Sequence, residues 1–128
     1  MKVLLDTHAF IWLVSDDSRL SETAKEAFLD NENEILLSAV TGFEIAVKYS
    51  LGKLSLAEPP QQFIDKRIKA NALTPLPITF AHTMLLADLP FHHRDPFDRL
   101  LVAQSLSERT PILSADSQLS AYGIHRIW

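Results

Sequence analysis

The chain has 128 residues, no cysteine, 47% hydrophobic and 22% charged residues, and a formal charge of −4. That length supports one hydrophobic core rather than two, so residues 1–128 read as a single domain; disorder, disulfides, thiolate zinc sites and cysteine nucleophiles are all excluded by composition. Sixteen acidic against twelve basic side chains argue against broad capture of nucleic acid by a basic surface, while leaving room for a local basic rim.

The opening MKVLLDTHAFIWLVSDD is apolar enough to resemble a leader, but an aspartate interrupts it and no small-residue cleavage site follows. No apolar run approaches the roughly 20 residues that span a bilayer. A cytoplasmic location without membrane contact is therefore expected. Within this stretch, Lys2 to Leu5 reads as a buried strand ending at Asp6, and AFIWLV as a short helix. SETAKEAFLD is a second helix, with Ser21 as N-cap and Ala24, Ala27 and Phe28 on one face, broken at Asn31 to Asn33.

EILLS (Glu34 to Ser38) has the length and composition of another buried strand, and the helix after it ends near Gly52. Pro59 and Pro60 open a helix whose Phe63, Ile64 and Ile68 face inward. LTPLPI is proline-rich, so it predicts at best a short or edge strand. Thr79 to Leu89 reads as helix. PFDRLLVAQSLSER is the clearest helix, with Pro96 in its first turn and Leu100, Leu101, Ala103 and Leu106 along a broad face. TPILSAD, a short helix and IHRIW, a last strand, close the chain. Strands alternating with helices predict an α/β fold: a mainly parallel sheet covered on both faces, with right-handed crossovers.

In such sheets ligands bind beyond the carboxyl ends of the strands. Asp6 and Asp116 each follow a strand there. Glu44 lies in the first turns of the helix after EILLS, and Asp95 and Asp98 begin the long helix. These carboxylates can converge on one edge, where mutual repulsion makes a divalent cation the simple remedy. Oxygen ligands without thiols favour Mg²⁺ or Mn²⁺ over zinc, and hydrolysis of a nucleic-acid backbone is the chemistry that fits.

Each acid also has a structural role to weigh. Asp95 is a good N-cap before Pro96, and Asp98 would favour the positive end of the helix. Glu44 has Lys48 one turn on, but apolar neighbours on several sides favour function for it; Asp116 can cap the turn beginning near Ser117. Asp6 is the acid least explained by structure, because it follows a buried strand directly. His8, His92 and His93 lack zinc-helix spacing and read as surface or loop residues. Arg94 and Arg99 make sensible phosphate contacts beside a phosphodiester site. Trp12 and Trp128 read as core or dimer anchors rather than stacking platforms. Apolar surface at Phe10, Trp12 and Phe63 serves either a homodimer or a partner groove.

LLDTHAFIW, the FE pair within SAVTGFEIAVKYSLGKL, HHRDPFDRLLVAQS and ILSADSQLSAYGI together resemble the PIN-domain ribonucleases, specifically the toxin component of VapBC toxin–antitoxin pairs. The resemblance covers essentially the whole chain. It implies a three-layer α/β/α fold, Mg²⁺- or Mn²⁺-dependent endoribonuclease activity on RNA, and inhibition by a small antitoxin. By position it assigns Asp6, Glu44, Asp98 and Asp116 to the metal site, with Thr7 and Ser114 as supporting hydroxyls. Many members carry a single aspartate before the long helix, whereas Asp95 and Asp98 both stand here; Asp98, inside the helix, is preferred as ligand and Asp95 as cap or neighbouring support. Two rivals remain: aspartyl-phosphate chemistry at Asp6, weakened by His rather than an acid at position 8, and a PIN-like binding module without catalysis.

Overall fold

A computed structural model describes residues 1–128. In chain order the elements are β1 (Lys2–Leu5), α1 (Thr7–Val14), α2 (Glu22–Leu29), β2 (Glu34–Ser38), α3 (Ala39–Ser50), α4 (Pro60–Asn71), β3 (Thr74–Leu76), α5 (Phe80–Leu85), α6 (Pro96–Glu108), β4 (Ile112–Leu113), a 3-10 turn over Ser117–Tyr122, and β5 (Arg126–Ile127). The five strands are all parallel, in the order β3-β2-β1-β4-β5. The proline-bearing strand β3 takes an edge, as a residue without an N–H donor requires.

Alternation along the strands divides the core. Val3, Leu5, Ile35, Leu37 and Leu113 point to one face, where Ala9, Phe10, Ala24, Ile45 and Phe63 from α1 to α4 cover them. Leu4, Leu36 and Ile112 point to the other, against Leu101 and Val102 of α6 and Leu119 of the 3-10 turn. Val3–Leu5 of β1, Ile35–Leu37 of β2 and Ile112–Leu113 of β4 are therefore continuous apolar runs, as expected where a parallel sheet is buried on both sides. The result is the three-layer α/β/α arrangement, and no helix is long and apolar enough to cross a membrane. Phe10 and Phe63, read from the sequence as interface surface, instead meet edge to face at 6.1 Å inside the first core.

Two elements depart from periodicity. Leu106 of α6 is exposed, while the polar Arg99, Gln104 and Ser105 of the same helix are buried. Gln104 earns its place by bonding: its amide N–H groups donate to the Pro77 carbonyl and approach His82 Nδ1, and its oxygen accepts from the Ser38 hydroxyl, which itself caps α3. Helix α5 stops at Leu85 rather than reaching Leu89. Pro90 disfavours helix in the residue before it, and the carbonyls of Leu86, Leu89 and Pro90 all accept from the Arg99 guanidinium.

Arg99 is thereby removed from the candidate phosphate contacts. It is only 6% exposed, its N–H groups are committed to backbone carbonyls, and Phe91 stacks on it at 3.9 Å. Arg99→Ala is expected to cost about 3 kcal/mol of stability, because charge-assisted bonds are lost and buried carbonyls are orphaned. Urea unfolding checks this: a midpoint unchanged from wild type would return Arg99 to the surface role.

Candidate active site

The chain runs outward from β1 through β2 to β3, then returns to β4 on the other side of β1. The strand order reverses between β1 and β4, so their carboxyl ends form a crevice at the switch point. Asp6 leaves β1 directly into this crevice, and Ser114 to Asp116 leave β4 beside it. Asp6, Asp98 and Asp116 line one cleft of about 340 Å³ together with His8 and Trp12. Glu44 and Thr7 line an adjoining cleft, which shares His8 and Trp12 with the first.

Local folding fixes each acid. Asp6 is the N-cap of α1, its Oδ1 accepting from the Ala9 N–H at 2.7 Å. Asp95 caps α6 through the Phe97 N–H at 2.8 Å and lines neither cleft. Asp116 caps the 3-10 turn through the Gln118 N–H, and its own N–H donates to Ser114 Oγ. Ser114, fully buried, also hydrogen-bonds Asp6. It thus joins the two acids at the switch point. Thr7 does not turn to a carboxylate; its hydroxyl pairs with that of Thr41 at 3.1 Å, tying the start of α1 to the helix that carries Glu44.

Burial and charge set the electrostatics. Asp6 is 8% exposed, and loss of solvent raises its carboxyl above the usual range, opposed by hydrogen bonds from Ser114 and Ala9. Asp98 is pushed up to about 6, first by burial and then by Asp95. Glu44 is buried against Lys48, whose ammonium lies 2.5 Å from Oε2 and is held protonated above its ordinary range by that bond. His93 meets the other flank: Nε2 lies 2.6 Å from Asp116 Oδ2, and Nδ1 lies 2.9 Å from the Tyr122 hydroxyl. His93 lies on a loop, one of the two places expected for it, but the imidazole stacks on the Tyr122 ring and its side chain is only 8% exposed, so it forms a buried clamp on Asp116. Its signal in the sequence was adjacency to the RDPFD acids; its partners lie more than twenty residues away. Arg94 stands exposed on the same loop.

The donor set is hard oxygen at a crevice carrying more negative charge than its own side chains balance, which suits Mg²⁺ or Mn²⁺. No three acidic or imidazole groups stand close enough, as they are turned here, to enclose one ion together. Glu44 faces Lys48, and Asp116 faces His93.

A parallel α/β sheet with clustered carboxylates at its switch point defines the class of protein as an acidic-crevice α/β/α domain. The chain belongs to the PIN domain family, whose model matches residues 3–124. Among named relatives, it is 43% identical over 54 residues to ribonuclease VapC16 of Mycobacterium tuberculosis, a match spanning 42% of this chain and 38% of that protein. It is 26% identical over 123 residues to ribonuclease VapC22 of the same organism, covering 94% of this chain and 91% of the relative. Its fold is that of a chain in the VapBC2 complex of Rickettsia felis bound to a promoter DNA fragment, with a TM-score of 0.74 at 14% identity, over 98% of this chain and 97% of the other. VapBC-1 of nontypeable Haemophilus influenzae gives 0.67 at 14%, over 98% and 96%.

The raised Asp98 carboxyl has a stability consequence of definite sign. Its pKa is about 6 when folded against 3.8 for an ordinary carboxyl, so the folded chain holds the proton more tightly than the unfolded chain. Its contribution is present at low pH and is lost as the pH rises from about 4 through about 6. In EDTA, the Tm advantage of Asp98→Asn over wild type should grow across that interval. A difference that is flat or shrinking with pH would contradict the placement of Asp98 among the other acids.

Proposed function

We propose that this chain is a metal-dependent endoribonuclease of the VapC type, the cytoplasmic toxin of a two-protein module, and that residues 1–128 work as one domain. The observation that carries this reading is the meeting of Asp6, Asp98 and Asp116 around one cleft at the switch point, with Glu44 alongside. Membership of the PIN family and the names of the VapC relatives support it.

In this reading Asp6, Glu44, Asp98 and Asp116 hold Mg²⁺ or Mn²⁺, which supplies charge neutralisation at the phosphodiester and activation of the attacking water. Asp6 and Asp98 accept the ion readily because burial makes their unneutralised carboxylates unfavourable. Ser114 meets the Asp6 side chain and the Asp116 backbone N–H, and so holds the exits of β1 and β4 together, and Thr7 holds α3 so that Glu44 faces the same edge. His93 fixes the plane of Asp116. Asp95 holds the first turn of α6, and so the direction of Asp98. The exposed Arg94 meets a substrate phosphate. Partner surfaces follow from exposed apolar side chains: Phe43, Phe80, Met84 and Phe91 stand out of the core, and we assign them to an antitoxin and a second copy of the chain.

One observation favours a binding module without catalysis: Asp6, Asp95 and Asp116 each already accept a backbone N–H, and Glu44 an ammonium. Calorimetry separates the two, since a module whose acids serve only as caps and ion pairs takes up no Mg²⁺.

RNA cleavage should require added Mg²⁺ or Mn²⁺, and Asp6→Asn should abolish it; equal activity with and without metal in both proteins would sink the ribonuclease reading. Asp98→Asn should lose activity and metal binding together, whereas Asp95→Asn should keep both, because asparagine caps a helix as well as aspartate; Asp95→Ala should mainly lose about 1 kcal/mol of stability with the cap. Matching kinetic losses would show that the two aspartates share the ligand role. Removing the clamp with His93→Ala is expected to weaken Mg²⁺ affinity roughly 10–100-fold, as for other groups that orient a ligand, and calorimetry measures it directly.

A further inference from the structure

The cleft that Glu44 lines, next to the three aspartates, is otherwise built of different chemistry. It encloses about 280 Å³, a space on the scale of one nucleotide, and His8, Trp12, Arg19, Lys48 and Lys53 contribute to its walls. His8 and Trp12 line the acidic cleft as well, so the two spaces share a wall. In a chain of formal charge −4, three cations gathered at one mouth are a local exception. Two of them are answered, Arg19 by Asp17 at 2.7 Å and Lys48 by Glu44; Lys53 makes no ion pair.

The same wall offers planar surface. His8 and Trp12 sit one turn apart on α1, with ring centroids 5.7 Å apart and planes tilted by 38°. The Arg19 guanidinium lies 4.8 Å from the Trp12 ring, and Trp128 supports that ring at 5.8 Å. Asp6 caps the helix that carries both rings, so the platform and the first acid are held by the same turn. A ligand that satisfies planar faces and unanswered positive charge, while touching the acids' cleft, is an aromatic base carried on a phosphate backbone.

Resting on the ribonuclease reading, we propose that this cleft is a nucleotide subsite: an unpaired base of single-stranded RNA, next to the scissile phosphate, stacks on the His8, Trp12 and Arg19 planes while Lys53 meets its backbone phosphate. Stacking of this kind tolerates any base, because every base has a π face; it requires only that the base be unpaired. Trp12, which the sequence offered as an anchor, thus holds substrate.

Binding of a labelled short single-stranded RNA is measured by fluorescence anisotropy in EDTA, in an Asp98→Asn background that cannot turn the substrate over. His8→Ala and Trp12→Ala should each weaken binding roughly ten-fold. The same RNA carrying an abasic site at the nucleotide next to the cut should bind the parent as weakly, with no further loss on either substitution. Lys53→Ala should weaken both RNAs alike and reduce the salt dependence by about one phosphate contact. In a Trp128→Phe variant, the remaining tryptophan should be quenched by intact RNA and not by the abasic one.

Unchanged binding in the His8 and Lys53 variants, whose side chains are exposed, would overturn the subsite even if Trp12→Ala unfolds. Equal loss on intact and abasic RNA in the His8 variant would overturn stacking. Cleavage by the wild type with unchanged KM in these variants separates failure of the subsite from failure of the function; no RNA binding or cleavage by any form removes both.

Discussion

Like charges gathered where the sheet reverses direction are the constraint around which this molecule is organised. Three aspartates from β1, α6 and the β4 exit face one crevice, and solvent has been withdrawn from the first of them. Burial first raises the affinity of Asp6 and Asp98 for a proton, and repulsion from neighbouring carboxylates, Asp95 at Asp98 and Asp116 at both, adds to that rise. A fold selected for stability alone would place amides there. The acids stand against the thermodynamic interest of the isolated chain, which is the pattern expected where a charged ligand completes the structure.

The chain tolerates the cluster by two internal counter-groups. Lys48 answers Glu44 from the next turn of α3, and His93 answers Asp116 from the loop before α6, with Tyr122 holding the imidazole from behind. Lys48 is a reversible partner: an ammonium on a flexible stem can give way to a cation without disturbing the sheet, whereas a buried arginine in a fixed fork could not. His93, held between Tyr122 and Asp116, keeps its place as the orienting group. Arg99 shows the contrast: it is buried just three residues into the same helix and is committed to three carbonyls, so its role is to fold the loop after α5.

How legible all this was depended on whether the cause was local. The strands Lys2–Leu5 and Glu34–Ser38 could be read because apolar runs ending at a polar residue leave little else to be, and Ser21, Pro60 and Asp95 announced helix starts by capping chemistry that acts within three residues. The parallel sheet followed from alternation of elements, and the acids followed from their position after strands. What could not be read was set by distance in the chain. Nothing within five residues of Arg99 shows that it would be drawn inward by carbonyls 9 to 13 residues before it. His93 needed Tyr122 and Asp116, and the exposure of Leu106 opposite a buried Gln104 depends on Ser38 and Pro77 from elsewhere in the fold. Long-range polar pairing is the part of a fold that local periodicity does not encode.

Helix starting and ligand holding are usually weighed as alternatives for an acidic residue, and in this site they are the same device. A carboxylate has two oxygens. At Asp6 one oxygen is fixed by the Ala9 N–H; at Asp116 one is fixed by the Gln118 N–H and the other by His93 Nε2, so both side-chain rotamers are set during folding at the edge of the crevice. A free surface aspartate would have to lose that rotamer freedom on binding an ion; a capping aspartate has lost it during folding, with the hydrogen bond as compensation. Asp95 carries the division further, since it fixes the first turn of α6 while Asp98, three residues on, presents its carboxylate to the cleft. The cap and the acid are separate residues in that helix and one residue at the ends of β1 and β4. This accounts for a pair of aspartates around Pro96 where one would suffice for either purpose: the long helix enters the site from a loop rather than from a strand, so the chain must build the helix start and the site group in succession.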